Sequence, residues 1–168
     1  MRVLGVDPGS VRTGYGIVDL ISGRLSLVDQ GTIQTTKGEE LSFRLQRIFE
    51  GLIAIITLHK PDEVAVETPF AGLNVKSLVQ LCQARGVILL AAQTCNLAIH
   101  EYSPRSVKSA VVGYGAAEKE QVAKMVRVLL PGSAEMTLGP DAADALAIAI
   151  CHAHSAGMAS RVRLAAQR

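Results

Sequence analysis

At Glu39 the spacing of apolar residues changes, and the change divides the chain into a strand-forming part and a part that alternates helices with strands. Before it, RVLGVD (2–7) is a continuous apolar run of the kind shown by a central strand covered on both faces. TGYGIVDL (13–20) and the stretch from Arg24 to Thr35 follow, separated by Pro8-Gly9-Ser10 and then by Ser22-Gly23. Connections this short predict an antiparallel meander of three strands. After the change, Leu41, Leu45, Ile48, Leu52 and Ile55 recur at three- and four-residue spacing. They predict an amphipathic helix from Glu39 to His59, which Pro61 stops.

Further along, DEVAVE (62–67) predicts a buried strand closed by Pro69, and Asn74 to about Thr94 a helix in which Ala84 and Gly86 offer a narrow stripe for a close backbone approach. AIHEYS (98–103) predicts a short strand, and Pro104 is placed to start a helix at its first turn. Glu118–Leu130 predicts another helix, and a last one runs from Pro140 to about His154. The expected fold is α/β, a mixed sheet flanked by helices. One domain covers residues 1–156, and 157–168 form a basic, mobile tail in which SRVRLAAQR (160–168) carries three Arg and no acid.

With 168 residues, 49% apolar and 19% charged, the chain supports one buried core and is no disordered polymer. Apolar runs such as LAIAIC (146–151) and VILLAA (87–92) fall short of the roughly 20 residues of a membrane span. MRVLGVDPGS lacks the pattern of a signal peptide. Cys82, Cys95 and Cys151 stand far apart, which suits reduced thiols and neither a disulfide framework nor a zinc site. The expectation is a soluble, cytoplasmic protein with no membrane association.

Four carboxylates occupy positions that invite chemistry. Asp7 ends the first strand before a Pro-Gly turn, and Glu67 ends the fourth before another break. Functional groups gather at strand ends of such sheets, where side chains face a crevice. Asp141 and Asp144, in GPDAADALAIAI, project from one face of a helix's first turns, and the rest of that helix is apolar nearly all round. If the strand ends point the same way, the four converge. Without cations they would repel, and their pKa values would rise. Hard divalent cations with oxygen ligands remove that cost, and two such ions about 4 Å apart clamp the attacking and leaving oxygens of a phosphoryl displacement. Each acid also has an ordinary explanation. Asp before Pro-Gly forms turns, and acids in a first helical turn complement the macrodipole. Glu67, a charge after VAV on a central strand, is the hardest to explain that way. Pattern alone leaves both readings open.

Other motifs carry less. Gly14-Tyr15-Gly16 and Gly113-Tyr114-Gly115 lack the third glycine of a dinucleotide fingerprint, and no G-x-x-x-x-G-K-[ST] occurs. His152 and His154, two apart on a helix, read as structural or solvated groups. With no Trp, three Phe and three Tyr, a broad base-stacking platform is not expected.

The segments GVDPGSVRTGYGIV (5–18), VAVETPF (64–70), QARGVIL (83–89), PRSVKSAVVGYGAAEKEQV (104–122) and DAADALAIAI (141–150) resemble, in order and spacing, the RuvC Holliday-junction resolvases, crossover-junction endodeoxyribonucleases of bacterial recombination. The resemblance runs to about residue 156 and implies an RNase H-like fold with a mixed five-stranded sheet. It also implies a nuclease that resolves four-way DNA junctions by paired symmetric nicks, water attacking the phosphodiester to leave 5′-phosphate and 3′-hydroxyl ends. The family's catalytic, metal-holding carboxylates fall on Asp7, Glu67, Asp141 and Asp144; some members carry His where Asp141 stands. Two Mg²⁺ per subunit are implied, with Mn²⁺ able to substitute. The aromatic that stacks against the opened junction matches Phe70, and the basic residues near the scissile phosphate match Lys108 and Lys119. On residue chemistry alone Phe70 would be packing, and both lysines would be solvated. A homodimer and a branch-migration complex of the RuvA and RuvB type are implied as partners.

The formal net charge is +2, with 17 Lys and Arg against 15 Asp and Glu. Setting aside the four metal-neutralised acids leaves 11 against 17, an excess compatible with gripping phosphate backbones. Two rival readings are weaker. An actin-like ATPase shares the Asp-Pro-Gly-Ser turn but needs two lobes, and a junction binder without nuclease activity would be expected to have lost a ligand.

Overall fold

The switch of period at residue 39 is matched by the element order. The computed structural model describes residues 1–69, 74–131 and 138–166, with 158–166 described by backbone alone. Strands β1 (Arg2–Asp7), β2 (Arg12–Ile21) and β3 (Arg24–Gln34) come first, then α1 (Leu41–His59), β4 (Glu63–Glu67), α2 (Val75–Thr94) and β5 (Ala98–Tyr102). Helices α3 (Pro104–Val112), α4 (Lys119–Leu129) and α5 (Pro140–Ala166) follow. The sheet order is β3-β2-β1-β4-β5. β1, β2 and β3 pair antiparallel, whereas β4 pairs parallel with both β1 and β5. This is the mixed five-stranded, RNase H-like arrangement expected.

Strand alternation divides the core in two. Leu4, Val6, Ile17, Val64 and Val66 pack with Ile48, Leu52 and Ile56 of α1 and Ala84, Ile88, Ala91 and Ala92 of α2. Val3, Val18 and Ala65 face the other way, against α3, α4 and α5. A continuous apolar run in β1 is what two covered faces require. Between Ala142 and Ala153, helix α5 is buried nearly all round because the sheet lies on one side of it and α3 and α4 on the other; Leu146, Ile148 and Ile150 are at most 1% exposed. Each such side chain contributes about 1.5–3 kcal/mol.

Local chemistry sets the element ends. Lys60 adopts a left-handed conformation (φ 49°) and donates its N–H to Ile56 O, ending α1 ahead of Pro61. Ser103 caps α3 by accepting from Ser106 N, with Pro104 in the first turn. Glu118 and Gln121 form a reciprocal capping box at the start of α4.

Two expectations are corrected, and one helix shows a feature that they did not cover. Helix α5 does not stop near His154 but continues to Ala166, because Arg, Leu and Ala are good helix formers and Gly157 costs only about 1 kcal/mol. Ala84 and Gly86 form no common stripe: Ala84 is buried, whereas a side chain at Gly86 would meet open space. Two residues apart, they lie on different sides of the helix. Finally, α2 is by length and apolar composition able to cross a membrane, which the short sequence runs did not suggest. Its inner face lies in the core beside α1, while Val75, Val79 and Leu90 stay exposed on the outer face. Cys82, Cys95 and Cys151 are free thiols, as expected.

Candidate active site

Two adjacent strand ends begin the site. Val6 lies opposite Val66 in the parallel pair, so Asp7 and Glu67 follow as neighbours where β1 and β4 end. Both belong to the set of alternate residues that faces α5, with Gly5 and Ala65 one step back. The turn after Asp7 is pinned: Thr13, fully buried, donates its hydroxyl to Gly9 O at 2.8 Å, and Thr35 donates to Ser10 O at 3.0 Å.

Helix α5 brings the other two acids. Its approach to the sheet is unusually close because the strands offer glycine where it passes. A Cβ at Gly5 would sit 2.2 Å from Ala145 O, one at Gly14 would sit 2.1 Å from Asp141 O, and one at Gly16 would sit 2.6 Å from the Leu146 side chain. Gly5 pairs with Gly16, and Asp7 with Gly14, so the three glycines form one patch on two strands. That patch sets Asp141 and Asp144 beside the strand-end acids, a role the sequence reading did not assign to it. The pattern crosses strands and is invisible along either one alone.

The charges are strongly coupled. Burial pushes the Asp7 carboxyl up to about 7, and the charges of Asp144 and Glu67 add to the shift, with a smaller part from Asp141, against a lowering by Lys119. Glu67 is also raised, by burial first and then by Asp144, while Lys119 and Lys108 pull it back. Lys119 Nζ donates to Asp144 Oδ2 at 2.7 Å, and that bond is the main cause raising the ammonium's own pKa. Lys119 is therefore more than a surface lysine at a helix start: α4 carries it to the acid of a helix 25 residues on. Lys108, on α3, reaches the cluster through its field at Glu67. Arg12 Nε lies 3.4 Å from Asp141 Oδ2, a contact the sequence gave no reason to expect. Phe70 lies outside the described residues.

All donors in the cluster are carboxylate oxygens, the set that suits a hard divalent cation. A carboxyl raised to about 7 by burial first, and further by the charges of Asp144 and Glu67, is a site short of positive charge, and the Lys119 ammonium supplies part of what is missing. Asp7, Glu67, Asp141 and Asp144 are the residues that could hold such an ion.

Residues 3–152 match the family "Crossover junction endodeoxyribonuclease RuvC". A curated protein of that name from Geobacter metallireducens is 50% identical, the match covering 97% of this chain and 98% of that protein. One from Chloroflexus aurantiacus is 48% identical over 98% of this chain and 99% of its own. The solved structure of Thermus thermophilus RuvC in complex with Holliday junction substrate superposes with a TM-score of 0.87 at 34% identity, covering 95% of this chain and 96% of the other. The chain belongs to the RuvC family of crossover junction endodeoxyribonucleases.

Proposed function

We propose that this member of the family is a metal-dependent endodeoxyribonuclease that resolves four-way DNA junctions by paired nicks during recombination and repair. The observation that carries the reading is the convergence of Asp7, Glu67 and Asp144 at one end of the sheet, where burial, and then the neighbouring carboxylates, push Asp7 up to about 7. Asp7, Glu67, Asp141 and Asp144 would hold two Mg²⁺ ions, with Mn²⁺ able to replace them. When bound, the ions supply an activated water and charge stabilisation for the in-line displacement. The chain's own residues position and neutralise. Glycine-lined packing keeps the acids of α5 against those of β1 and β4, and Arg12 orients Asp141. Lys119 and Lys108 approach the same acids from α4 and α3, where a scissile phosphate would add negative charge. Phe70, beside the site in sequence, is assigned to stacking on a base freed at the branch point, a contact worth about 1–3 kcal/mol.

A single site makes one nick, and two nicks in strands of like polarity need two sites related by a two-fold axis. We assign the homodimer contact to the outer face of α2. Val75, Val79 and Leu90 are exposed there at helical spacing, on the side opposite the buried Ala84, Ile88 and Ala91. A branch-migration complex of the RuvA and RuvB type and a cytoplasmic setting complete the proposal.

The test is incubation with a synthetic four-way junction and Mg²⁺, followed by mapping of the cuts. Symmetric paired nicks with 5′-phosphate ends are expected, and linear duplex should be cut far more slowly. Tight junction binding without cleavage in Mg²⁺, or duplex cut as fast as a junction, would overturn the reading.

A further inference from the structure

Glu63, His100 and His152 lie on the same side of the sheet as the acids, at the opposite end of β4. Glu63 begins that strand, His100 is central in β5 opposite Ala65, and His152 comes from α5. Both imidazoles approach one oxygen, Glu63 Oε2: His152 Nε2 is hydrogen-bonded to it at 2.5 Å, and His100 Nε2 lies 3.1 Å away without a hydrogen bond. The two rings stack with centroids 4.2 Å apart. One ligand atom from each of the three residues lies within 4.8 Å of the other two, and among the described residues no other trio of His, Cys, Asp and Glu does this.

Part of the cluster is complete without an ion. Tyr102 Oη lies 2.7 Å from His152 Nδ1, so a neutral His152 can accept from the tyrosine and donate Nε2–H to Glu63. His100 is what that network fails to account for. Its Nε2 is buried and makes no hydrogen bond, although it points at a carboxylate oxygen. At 3.1 Å and without a hydrogen bond to His100, Glu63 satisfies one ring and leaves the other unpaired. A metal ion, bound by the lone pairs of both Nε2 atoms and by Glu63, satisfies all three at once.

We propose that Glu63, His100 and His152 form a second divalent-metal site, distinct from the acidic cluster and selective for a borderline cation of the Zn²⁺ class. Two imidazoles and one carboxylate are a recurrent zinc ligand set that leaves a fourth position for water. The same set is poor for Mg²⁺, which prefers oxygen alone. On binding, the Nε2 proton of His152 is exchanged for one on Nδ1, and Tyr102 Oη accepts it, since a phenol can take either role. Tyr102 is then the outer-shell partner that orients the ring. His152 closes the rear of the site with its side chain 3% exposed, whereas Glu63 and His100, at 30% and 40%, leave an entry path. A bound ion would tie β4, β5 and α5 together at three points.

The test uses the full chain, stripped with chelator and returned to excess Mg²⁺ so that the oxygen-only cluster is occupied. Zn²⁺ uptake is then followed by competition with a chromophoric chelator. One Zn²⁺ per chain is expected, retained in Asp7→Asn and weakened at least about tenfold in His100→Ala and in Tyr102→Phe, the scale of loss that even outer-shell changes produce. Co²⁺ in place of Zn²⁺ should give the intense visible bands of a four-coordinate site in the parent and not in His100→Ala. Zn²⁺ should likewise raise the melting temperature of the parent and Asp7→Asn but not of His100→Ala. No zinc uptake by the parent, equal uptake by the parent and His100→Ala, or loss of uptake in Asp7→Asn with His100→Ala unaffected would each overturn the proposal. His100 is chosen over the buried His152 so that the variant retains the fold.

Discussion

Strand β4 and helix α5 carry an ionisable cluster at each end, and the two differ in what balances their charge. Glu67 and Asp144 belong to one cluster, Glu63 and His152 to the other, four residues apart on the strand and eight on the helix. Both steps amount to roughly 12–13 Å. At the first end, carboxylates face carboxylates, and their repulsion adds to the burial that drives Asp7 up to about 7. At the second, imidazoles face a carboxylate, and Glu63 partly offsets the burial that lowers His152. The same two elements therefore build one cluster whose charge Lys119 relieves only in part and one in which a carboxylate meets imidazoles, with His100 Nε2 left unpaired. The first arrangement suits a group that must bind charged ligands during turnover. The second suits a group that holds the layers together.

The sharpest way to break this comparison is to make the same change at each end. Glu67→Gln should slow junction cleavage at least about 1,000-fold, since a metal ion supplies several kcal/mol of transition-state stabilisation and each 1.4 kcal/mol is a factor of ten. Glu63→Gln should slow it less than about tenfold and act on thermal stability instead, because His152 loses its partner. Single-turnover cleavage and melting curves of both variants decide the matter; comparable cleavage losses would mean that the two ends are not separate.

The ends also titrate with opposite sign. Asp7 is raised from 3.8 to about 7, so within that window the folded chain binds more protons than the unfolded one. Without divalent cations, stability must then fall as pH rises from about 4 to about 7. His152 is lowered, so its contribution is present above the ordinary imidazole pKa and is lost as pH falls below it. Asp7→Asn should flatten the first slope, leaving the part that the raised Glu67 contributes, and leave the second. At pH 8 in chelator it should be more stable than the parent, on the order of a few kcal/mol. Urea melts of both proteins at pH 5 and pH 8 provide the measurement, and parallel pH slopes would contradict the charge assignment.

The smallest effect concerns the lysine that leans on the acids. Lys119→Ala should slow cleavage about tenfold while changing junction affinity much less, if its ammonium acts at the reacting phosphate. Its side chain is 83% exposed, so the fold should lose under about 1 kcal/mol. Equal losses of affinity and rate would return Lys119 to general phosphate contact.

Much of this was legible along the chain. Asp7 and Glu67 stand at strand ends marked by proline, and Asp141 and Asp144 share a helix face through their spacing, so local rules picked out all four. The strand meander and the helices α1, α2 and α4 are bounded to within a residue or two by turn and cap residues, and the starts of α3 and α5 are marked by proline. What was hidden depended on residues far apart in sequence. Gly14-Tyr15-Gly16 was weighed as an incomplete nucleotide loop, while its use as a landing surface for α5 depends on pairing with Gly5. Glu63, His100 and His152 come from three separate elements and have no spacing to read. The bond from Lys119 to Asp144 crosses between helices, and the extension of α5 past His154 follows from helix propensity that a mobile-tail reading discounted.

The glycine patch under α5 has a consequence for how this protein can be altered. Because Gly5, Gly14 and Gly16 let the helix backbone rest on the strands, the separation of the acids is a layer thickness, and no loop conformation determines it. Exchange of surface loops, the usual route to retargeting an enzyme, should leave the carboxylate geometry untouched. A single methyl at Gly5 or Gly14 acts as a spacer that lifts the whole rod, moving Asp141 and Asp144 together. The tolerance of the site to redesign is therefore least where the side chains are smallest.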